Sequence, residues 1–176
     1  MIIPSTRLFT AGEVETGAYL NSAVTNLGNF MLGKPIALLR QTVVQALTTS
    51  GTTYALTFDT EDVDRDNGHS TSTNTSRYTA QTAGWYFVSA TAAFAGNVTG
   101  SRLARFAVNG TAINFGQNIN YATLNSNTCV LPLNALMYLN VSDYVEVQVN
   151  QTSGASLNTN VTAPYQSFMS VIWVSS

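Results

Sequence analysis

The hydrophobic positions of this chain follow two different periods. In the first part, four large apolar side chains recur at spacings of four, three and four residues, which places them on one stripe of a helix: Leu20, Val24, Leu27 and Met31. The pattern predicts a helix over about residues 16–32, with Thr16 as N-cap and Gly33 as a left-handed C-cap. An alternative start lies at Thr10, where Glu13 would complete a capping box.

From Pro35 to the C-terminus the period is two, which is typical of strands with one buried face. The alternation is clearest in residues 144–149, where three valines face the core while Glu146 and Gln148 face outward. Further strands are predicted at residues 36–47, 52–58, 84–94, 102–108, 111–119, 129–139 and 167–174. About eight to ten short strands separated by turns predict an all-β jelly-roll sandwich. We therefore divide the chain into an N-terminal segment, residues 1–34, and a jelly-roll domain, residues 35–176.

Composition and charge exclude several classes of protein. Only 9% of the residues are charged and the net charge is -2, so the chain lacks the positive charge that nucleic-acid binding requires. It has no apolar run long enough to span a membrane and no signal-peptide pattern at its N-terminus. Its single cysteine, Cys129, excludes an internal disulfide and a cysteine metal cluster, and its strand context predicts a buried thiol.

Uncharged polar residues take the place of the missing charges. Asn, Ser and Thr make up 57 of the 176 residues. Ordinary monomers depend on surface charge for solubility. A surface this neutral indicates that sister subunits or a larger assembly cover much of it.

Carboxylates are concentrated in one segment, which we name the acidic segment. Five of the nine acidic residues fall within eight positions: Asp59, Glu61, Asp62, Asp64 and Asp66. Such a cluster is a candidate site for calcium or another hard cation, which prefers oxygen ligands. The alternative is a solvated loop, because the glycine and distal glutamate of a helix-loop-helix calcium site are missing.

The other reactive side chains do not form a catalytic set. The lone His69 has no nucleophile elbow or matching carboxylate in the sequence. Asp143 and Glu146 lie at a turn and on an outward strand position, which does not suit a glycosidase pair. We expect no enzyme and no cofactor. Four aromatic residues could form a sugar-binding platform, but core and subunit contacts are the favoured interpretation: Trp85, Phe87, Tyr144 and Trp173.

Several segments resemble the complement-q/tumour-necrosis-factor-like jelly-roll family. Residues 82–90, Thr-Ala-Gly-Trp-Tyr-Phe-Val-Ser-Ala, are similar to the family's strand that opens with Gly-x-Tyr. Residues 102–110 resemble the next strand and its Asn-Gly hairpin, and residues 139–147 and 167–174 resemble later strands. Ser142 stands where the family usually has glycine, so this turn must avoid a positive φ or adopt it at a cost.

Two segments, one in the leader at residues 9–14 and one in the acidic segment, resemble a smaller group of proteins with this kind of domain. Phe9-Thr10-Ala11-Gly12-Glu13-Val14 and Phe58-Asp59-Thr60-Glu61-Asp62-Val63-Asp64 are similar to segments of small virion proteins from tailed phages of actinobacteria. Those proteins are often labelled minor tail proteins. The resemblance implies a structural protein on the virion surface, assembled in the host cytoplasm.

The resemblance also implies partners. We expect a homotrimer, anchored to other virion proteins through residues 1–34 and the stripe of Leu20, Val24, Leu27 and Met31. The polar loops at residues 118–127 and 153–160 would then face outward. Two roles stay open for the knob: binding of a host cell-wall glycan, or capsid decoration or a head fibre without a ligand.

Overall fold

A computed structural model of the chain describes residues 10–14, 16–122 and 127–176. Residues 1–9 of the predicted N-terminal segment lie outside this part. One helix precedes twelve strands, whose bounds are α1 Gly17–Leu32, β1 Ile36–Arg40, β2 Ala46–Leu47, β3 Thr53–Ala55, β4 Thr60–Asp64, β5 Arg77–Thr79, β6 Gly84–Phe94, β7 Ser101–Val108, β8 Thr111–Tyr121, β9 Cys129–Leu139, β10 Tyr144–Gln151, β11 Leu157–Asn158 and β12 Phe168–Ser175. The chain is therefore mostly β, with one short N-terminal helix, as predicted.

Two antiparallel sheets form the sandwich. The first sheet has the order β4-β1-β12-β6-β9, and the second has the order β3-β10-β7-β8, with β5 also paired to β10. The even positions of β6 face the second sheet across the core, where Tyr86 and Val88 are fully buried with Phe106 and Val147. This non-consecutive order follows from chain crossovers between the two sheets, the feature that defines a jelly roll.

The helix begins where the capping signal predicted. The Thr16 hydroxyl accepts a hydrogen bond from the Tyr19 backbone N–H at 3.3 Å. Thr10 and Glu13 do contact each other, but in a turn that precedes the helix. The expectation of a left-handed cap at Gly33 is wrong, because its φ is -107°. Its N–H instead closes the last turn by donating to Asn29, so no left-handed residue is required.

The single strand predicted over residues 36–47 is two strands in different sheets. β1 ends at Arg40, and β2 pairs with β11 rather than with a strand of the first sheet. The chain leaves the first sheet because the backbone N–H groups of Thr42 and Val43 donate to the Asp59 carboxylate. The Gln45 N–H then donates to the Thr159 hydroxyl at 2.9 Å. Side-chain acceptors thus replace the ladder that would have continued the strand.

Three predicted loops contain strand. In the polar loop predicted at residues 153–160, Leu157–Asn158 is β11, and Leu157 and Thr159 are buried rather than facing outward. The first part of the acidic segment is β4, an edge strand that pairs with β1 through Leu38 and Val63. Residues 118–121, predicted as part of a polar loop, continue β8 and pair with β7. Residues 123–126 of that predicted loop lie outside the described part of the chain.

The Gly-x-Tyr motif has a clear structural basis. Gly84 has a φ of 149°, and a Cβ added there would lie 2.4 Å from the Ser175 carbonyl oxygen and from Trp173 Nε1. Only glycine therefore lets β6 approach the end of β12 so closely. Two positions on, the buried Tyr86 hydroxyl donates to the Thr82 carbonyl at 2.6 Å, and burial raises the pKa of Tyr86 to about 12.

The outward pair on β10 is not exposed to solvent. Glu146 and Gln148 do point away from the valine core, but both are buried. Arg105 Nε donates to Gln148 Oε1 at 3.1 Å, and Gln148 Nε2 donates to Glu146 Oε1 at 3.1 Å. Arg77 lies 4.0 Å from the same carboxylate. Long side chains of the second sheet thus cover positions that alternation alone assigned to solvent.

The sandwich has two ends with different contents. The helix end contains the start of β1, the end of β12 and the turn at residues 140–143. The far end contains the start of β7, the end of β8 and the start of β9, together with residues 95–100 and 127–128. This polarity places α1 and the far-end loops on opposite sides of the domain.

Candidate functional site

The outer surface of the first sheet is unusually apolar, and we name it the apolar sheet face. It comprises the exposed side chains Trp85, Phe87, Val130, Leu136, Tyr138, Ile172 and Val174. The sheet register places Ile172 opposite Phe87 and Phe87 opposite Leu136, so that one continuous row crosses β12, β6 and β9. These three side chains are 40%, 43% and 52% exposed.

A second row lies next to it, nearer the helix end. Trp85 is opposite Tyr138, and their rings pack edge to face with centroids 5.6 Å apart. The next row toward the far end consists of polar residues, with Ser89 opposite Ser170 on β12 and Asn134 on β9. A contiguous exposed apolar patch rimmed by polar residues is typical of a protein–protein interface.

The helix stripe is not covered by the described part of its own chain. Leu20, Val24, Leu27 and Met31 are each exposed by about half or more. The spacing that predicted this stripe is also the seam spacing of a coiled coil. The stripe therefore does not pack on the jelly-roll domain of its own chain.

One residue joins the helix to the sandwich. Phe30 is buried, and its ring meets Trp173 edge to face at 5.1 Å. The Arg65 guanidinium also donates to the Leu32 carbonyl at 2.8 Å. Because Trp173 lies near the end of β12, this anchor places α1 at the helix end of the sandwich. Phe30 flanks the stripe in the sequence, but its role as the docking residue was not predicted.

The acidic segment does not converge on one point. Asp59 accepts hydrogen bonds from residues 42 and 43, and Asp62 forms a two-pronged pair with Arg40 at 2.5 Å. Asp64 accepts from the backbone N–H groups of residues 68 and 69, and Asp66 accepts from the Tyr78 hydroxyl at 2.8 Å. Glu61 is exposed on β4.

These carboxylates therefore hold chain segments in place. In the described part of the chain, no three His, Cys, Asp or Glu side chains lie close enough to hold a metal together. The expected calcium ligands are thus separate hydrogen-bond acceptors in this structure, and they are not simply solvated charges either.

The fold shifts the pKa values of these carboxyl groups in different directions. The hydrogen bond and charge of Arg40 hold the pKa of Asp62 below its usual value. Burial raises the pKa of Asp59, but hydrogen bonds from Thr42 and Val43 outweigh it and the net shift is downward. Burial raises the pKa of Asp66, and the bond from Tyr78 offsets only part of that effect. Asp66 is therefore the acidic residue that the fold stabilises least in its charged form.

The remaining reactive residues occupy structural positions. His69 is buried, with Nδ1 2.6 Å from the Arg77 carbonyl and Nε2 3.2 Å from the Phe58 carbonyl, so that it bridges the start of β5 and the segment between β3 and β4. Cys129 is half-buried at the start of β9, and burial raises the pKa of its thiol. The positive charge of Arg102 acts to lower the pKa of the Cys129 thiol, but burial outweighs it.

The four aromatic residues considered for sugar binding do not form one platform. Trp85 and Phe87 belong to the apolar sheet face, whereas Trp173 is buried beneath Phe30. The Tyr144 ring lies 4.0 Å from the Arg77 guanidinium carbon. Two of them are thus placed for subunit contact and two are occupied within the chain.

Among the described residues, no helix has the length and hydrophobicity needed to cross a membrane.

The exposed face of β6 was the main feature that sequence reasoning missed. Its signal was present, because Trp85 and Phe87 are apolar at the positions that alternation assigns to solvent.

Solved structures with similar folds place this sandwich in a known class. The globular domain of zebrafish complement 1qA protein superposes with a TM-score of 0.56 and 13% identity, covering 80% of this chain and 98% of that chain. Murine APRIL at pH 5.0 gives a TM-score of 0.60 and 12% identity, covering 80% and 99%. No family model and no curated protein matches this sequence.

These likenesses show that the fold is a complement-q/tumour-necrosis-factor-like jelly roll, as the strand motifs predicted. Proteins of this fold usually form homotrimers and are typically not enzymes.

Proposed function

We propose that this protein is a homotrimeric structural knob on the surface of a tailed-phage virion, associated with the tail and anchored by residues 1–34. The observation that carries the trimer is the apolar sheet face. Burying one large apolar side chain contributes roughly 1.5–3 kcal/mol. A row of half-exposed side chains in each of three subunits therefore favours assembly and opposes the entropy cost of association.

The helix stripe supports the anchor. It emerges from the same end as the most apolar rows of the sheet face, so a threefold axis along that face would bring three copies of α1 together. The stripe then packs against sister helices, against another virion protein, or against both along its length. The phage assignment itself draws on the leader and acidic-segment motifs, which resemble those of virion proteins.

The far end of the knob faces outward in this arrangement. Anchoring through α1 leaves the loops at residues 95–100 and 152–156 as the distal surface. Their side chains are mainly uncharged and polar, which suits hydrogen bonding to a glycan without the desolvation cost of buried charge. Weak binding by one knob would be strengthened by avidity on a particle. Capsid decoration without a ligand is the alternative role.

Sedimentation equilibrium tests the trimer. The wild-type protein should sediment at roughly 56 kDa, three times the 18.8 kDa chain. Phe87→Glu should give a folded monomer, because it places a charge in the apolar row. Phe115→Glu is the matched control, since Phe115 is a similarly exposed phenylalanine on the second sheet. A monomeric wild type, or equal effects of the two substitutions, would contradict the proposed interface.

Incorporation into particles tests the anchor. In a phage that carries Leu27→Asp, the protein should be lost from purified virions, whereas the neighbouring Asn26→Asp should be retained. Normal copy number for Leu27→Asp would place the anchor elsewhere. Incubation of the purified protein with host cell walls separates host binding from decoration: no binding, with a copy number that matches capsid symmetry axes, favours a head decoration protein.

A further inference from the structure

A buried arginine at the far end has no acidic partner among the residues that the structure describes. Arg102, on β7, is 1% exposed. Its Nη1 donates to the carbonyls of Thr99 and Ser101, and its Nη2 donates to the carbonyl of Asn97, while Nε is buried without a hydrogen-bond partner. Residues 67–142 and 147–176 contain no Asp or Glu. Arginine is rarely buried without a paired anion, because an isolated buried charge is costly.

The guanidinium lines a cavity of about 350 Å³. The other lining residues are mainly amides, hydroxyls and small apolar groups: Asn97, Asn120, Tyr121, Ala122, Asn127, Thr128, Cys129 and Val130. The Asn97 carbonyl oxygen of the side chain accepts from the Thr99 N–H, which leaves its amide NH₂ as a donor. The cavity thus combines one cation with several neutral donors and contains no competing carboxylate among its described residues.

We propose that this cavity is a binding site for an oxyanion, the carboxylate or phosphate group of an acidic glycan. The forked N–H groups of a guanidinium match two oxygens of a carboxylate or a phosphate. Hydrogen bonds of this kind are among the stronger ones in proteins. The neighbouring amides would bind the sugar hydroxyls. Burial lowers the pKa of Arg102, and the neighbouring Cys129 offsets only part of that effect. The site rests on the geometry of one chain, while its use in host recognition rests on the proposed function.

The structural alternative is that Arg102 only fixes the turn at residues 97–101. The two interpretations differ in what a new carboxylate would do. Asn120 is directly opposite Arg102 in the β7–β8 register, so its side chain is within reach of the guanidinium. Asn120→Asp therefore supplies an internal counter-ion. It should raise the melting temperature without any ligand and should abolish the response to added oxyanions.

Thermal shift and calorimetric titration of the full-length protein test the site. The probes are glucuronate and inorganic phosphate, with glucose and sodium chloride of equal ionic strength as controls. A ligand that binds only the native state raises the melting temperature saturably. Arg102→Gln and Asn120→Asp should each weaken binding about tenfold or more, the loss expected for a hydrogen bond to a charged group. Arg105→Gln should change it by less than about twofold, because Arg105 bonds to Gln148 outside the cavity.

A response to glucuronate alone identifies a carboxylate ligand, and a response to phosphate alone identifies a phosphate ligand. The proposal is overturned if neither probe gives a saturable shift, or if Asn120→Asp binds as well as the wild type. If Arg102→Gln does not fold, Asn120→Asp decides alone. Anion binding without cell-wall binding would refute the host role and leave the site. Cell-wall binding that Asn120→Asp does not affect would refute the site instead.

Discussion

The turn between β9 and β10 contains a strained serine that glycine should relieve. Ser142 has a φ of 75°, a left-handed conformation that favours glycine. The conformation is imposed from outside: the Ser142 N–H donates to the Ala80 carbonyl at 2.8 Å, and the Ala80 N–H donates to the Asp143 carbonyl at 2.8 Å. The side chain itself is exposed. Ser142→Gly should therefore stabilise the protein without altering the turn.

The magnitude follows from two opposing effects. A left-handed conformation costs an L-residue roughly 1–2 kcal/mol. Glycine loses about 0.5–1 kcal/mol more conformational freedom on folding than alanine does. The net gain in the free energy of unfolding should be about 0.5–1 kcal/mol. In a chain of this size it corresponds to a rise in melting temperature of about 1–4 °C.

Urea unfolding at a fixed protein concentration measures the effect, since oligomerisation makes stability concentration-dependent. Val141→Gly is the matched control, because Val141 lies in the same turn and is not among the residues with positive φ. It should destabilise by about 0.5–1 kcal/mol. If Ser142→Gly destabilises as much as Val141→Gly does, the strain at this turn is not real.

Three further predictions address the fold and the acidic segment. Gly84→Ala should destabilise by about 2–4 kcal/mol in the same assay, because its Cβ would collide with the end of β12; a smaller loss would mean that β12 can shift. Asp59→Asn should destabilise at neutral pH, since the folded pKa of Asp59 is lowered and its contribution is present above the unfolded value. Asp66→Asn should stabilise the protein at neutral pH, because the folded pKa of Asp66 is raised. The effects of both substitutions on stability should vanish on acidification below about pH 4. Effects of the same sign would refute this assignment. Chelator and millimolar calcium should give the same melting temperature, because four of the five carboxylates already accept hydrogen bonds; a calcium-dependent rise would restore the cation site.

Local sequence signals located most elements correctly. The period of two and the turn residues predicted β6, β7, β9, β10 and β12 nearly to their ends, and the helix stripe predicted α1. These signals are reliable because side-chain alternation and helical spacing are properties of a short segment. The positive φ at Ser142 was likewise one of two expected outcomes, since the family that the sequence resembles usually has glycine at this position.

The tertiary structure decided where each segment belongs. The strand predicted over residues 36–47 is divided because Asp59 and Thr159, distant in sequence, capture its backbone N–H groups. The acidic segment was predicted either as a cation site or as a solvated loop, yet four of its carboxylates accept hydrogen bonds from separate parts of the chain, at residues 40, 42–43, 68–69 and 78.

The sequence by itself determined the class of structure: a helix with one apolar stripe, then an all-β domain with few charges. Only the tertiary structure decided which apolar side chains stay exposed. Phe87 and Val88 are both apolar neighbours on β6, but Val88 faces the second sheet and Phe87 faces no part of its own chain. Likewise, the sequence pattern around Arg102 is that of an ordinary strand residue. Only the packing of the sheets buries its side chain away from the carboxylates of the described residues. Burial is a property of the assembled sheets, and the residues that packing leaves uncovered or uncompensated are the ones that indicate partners.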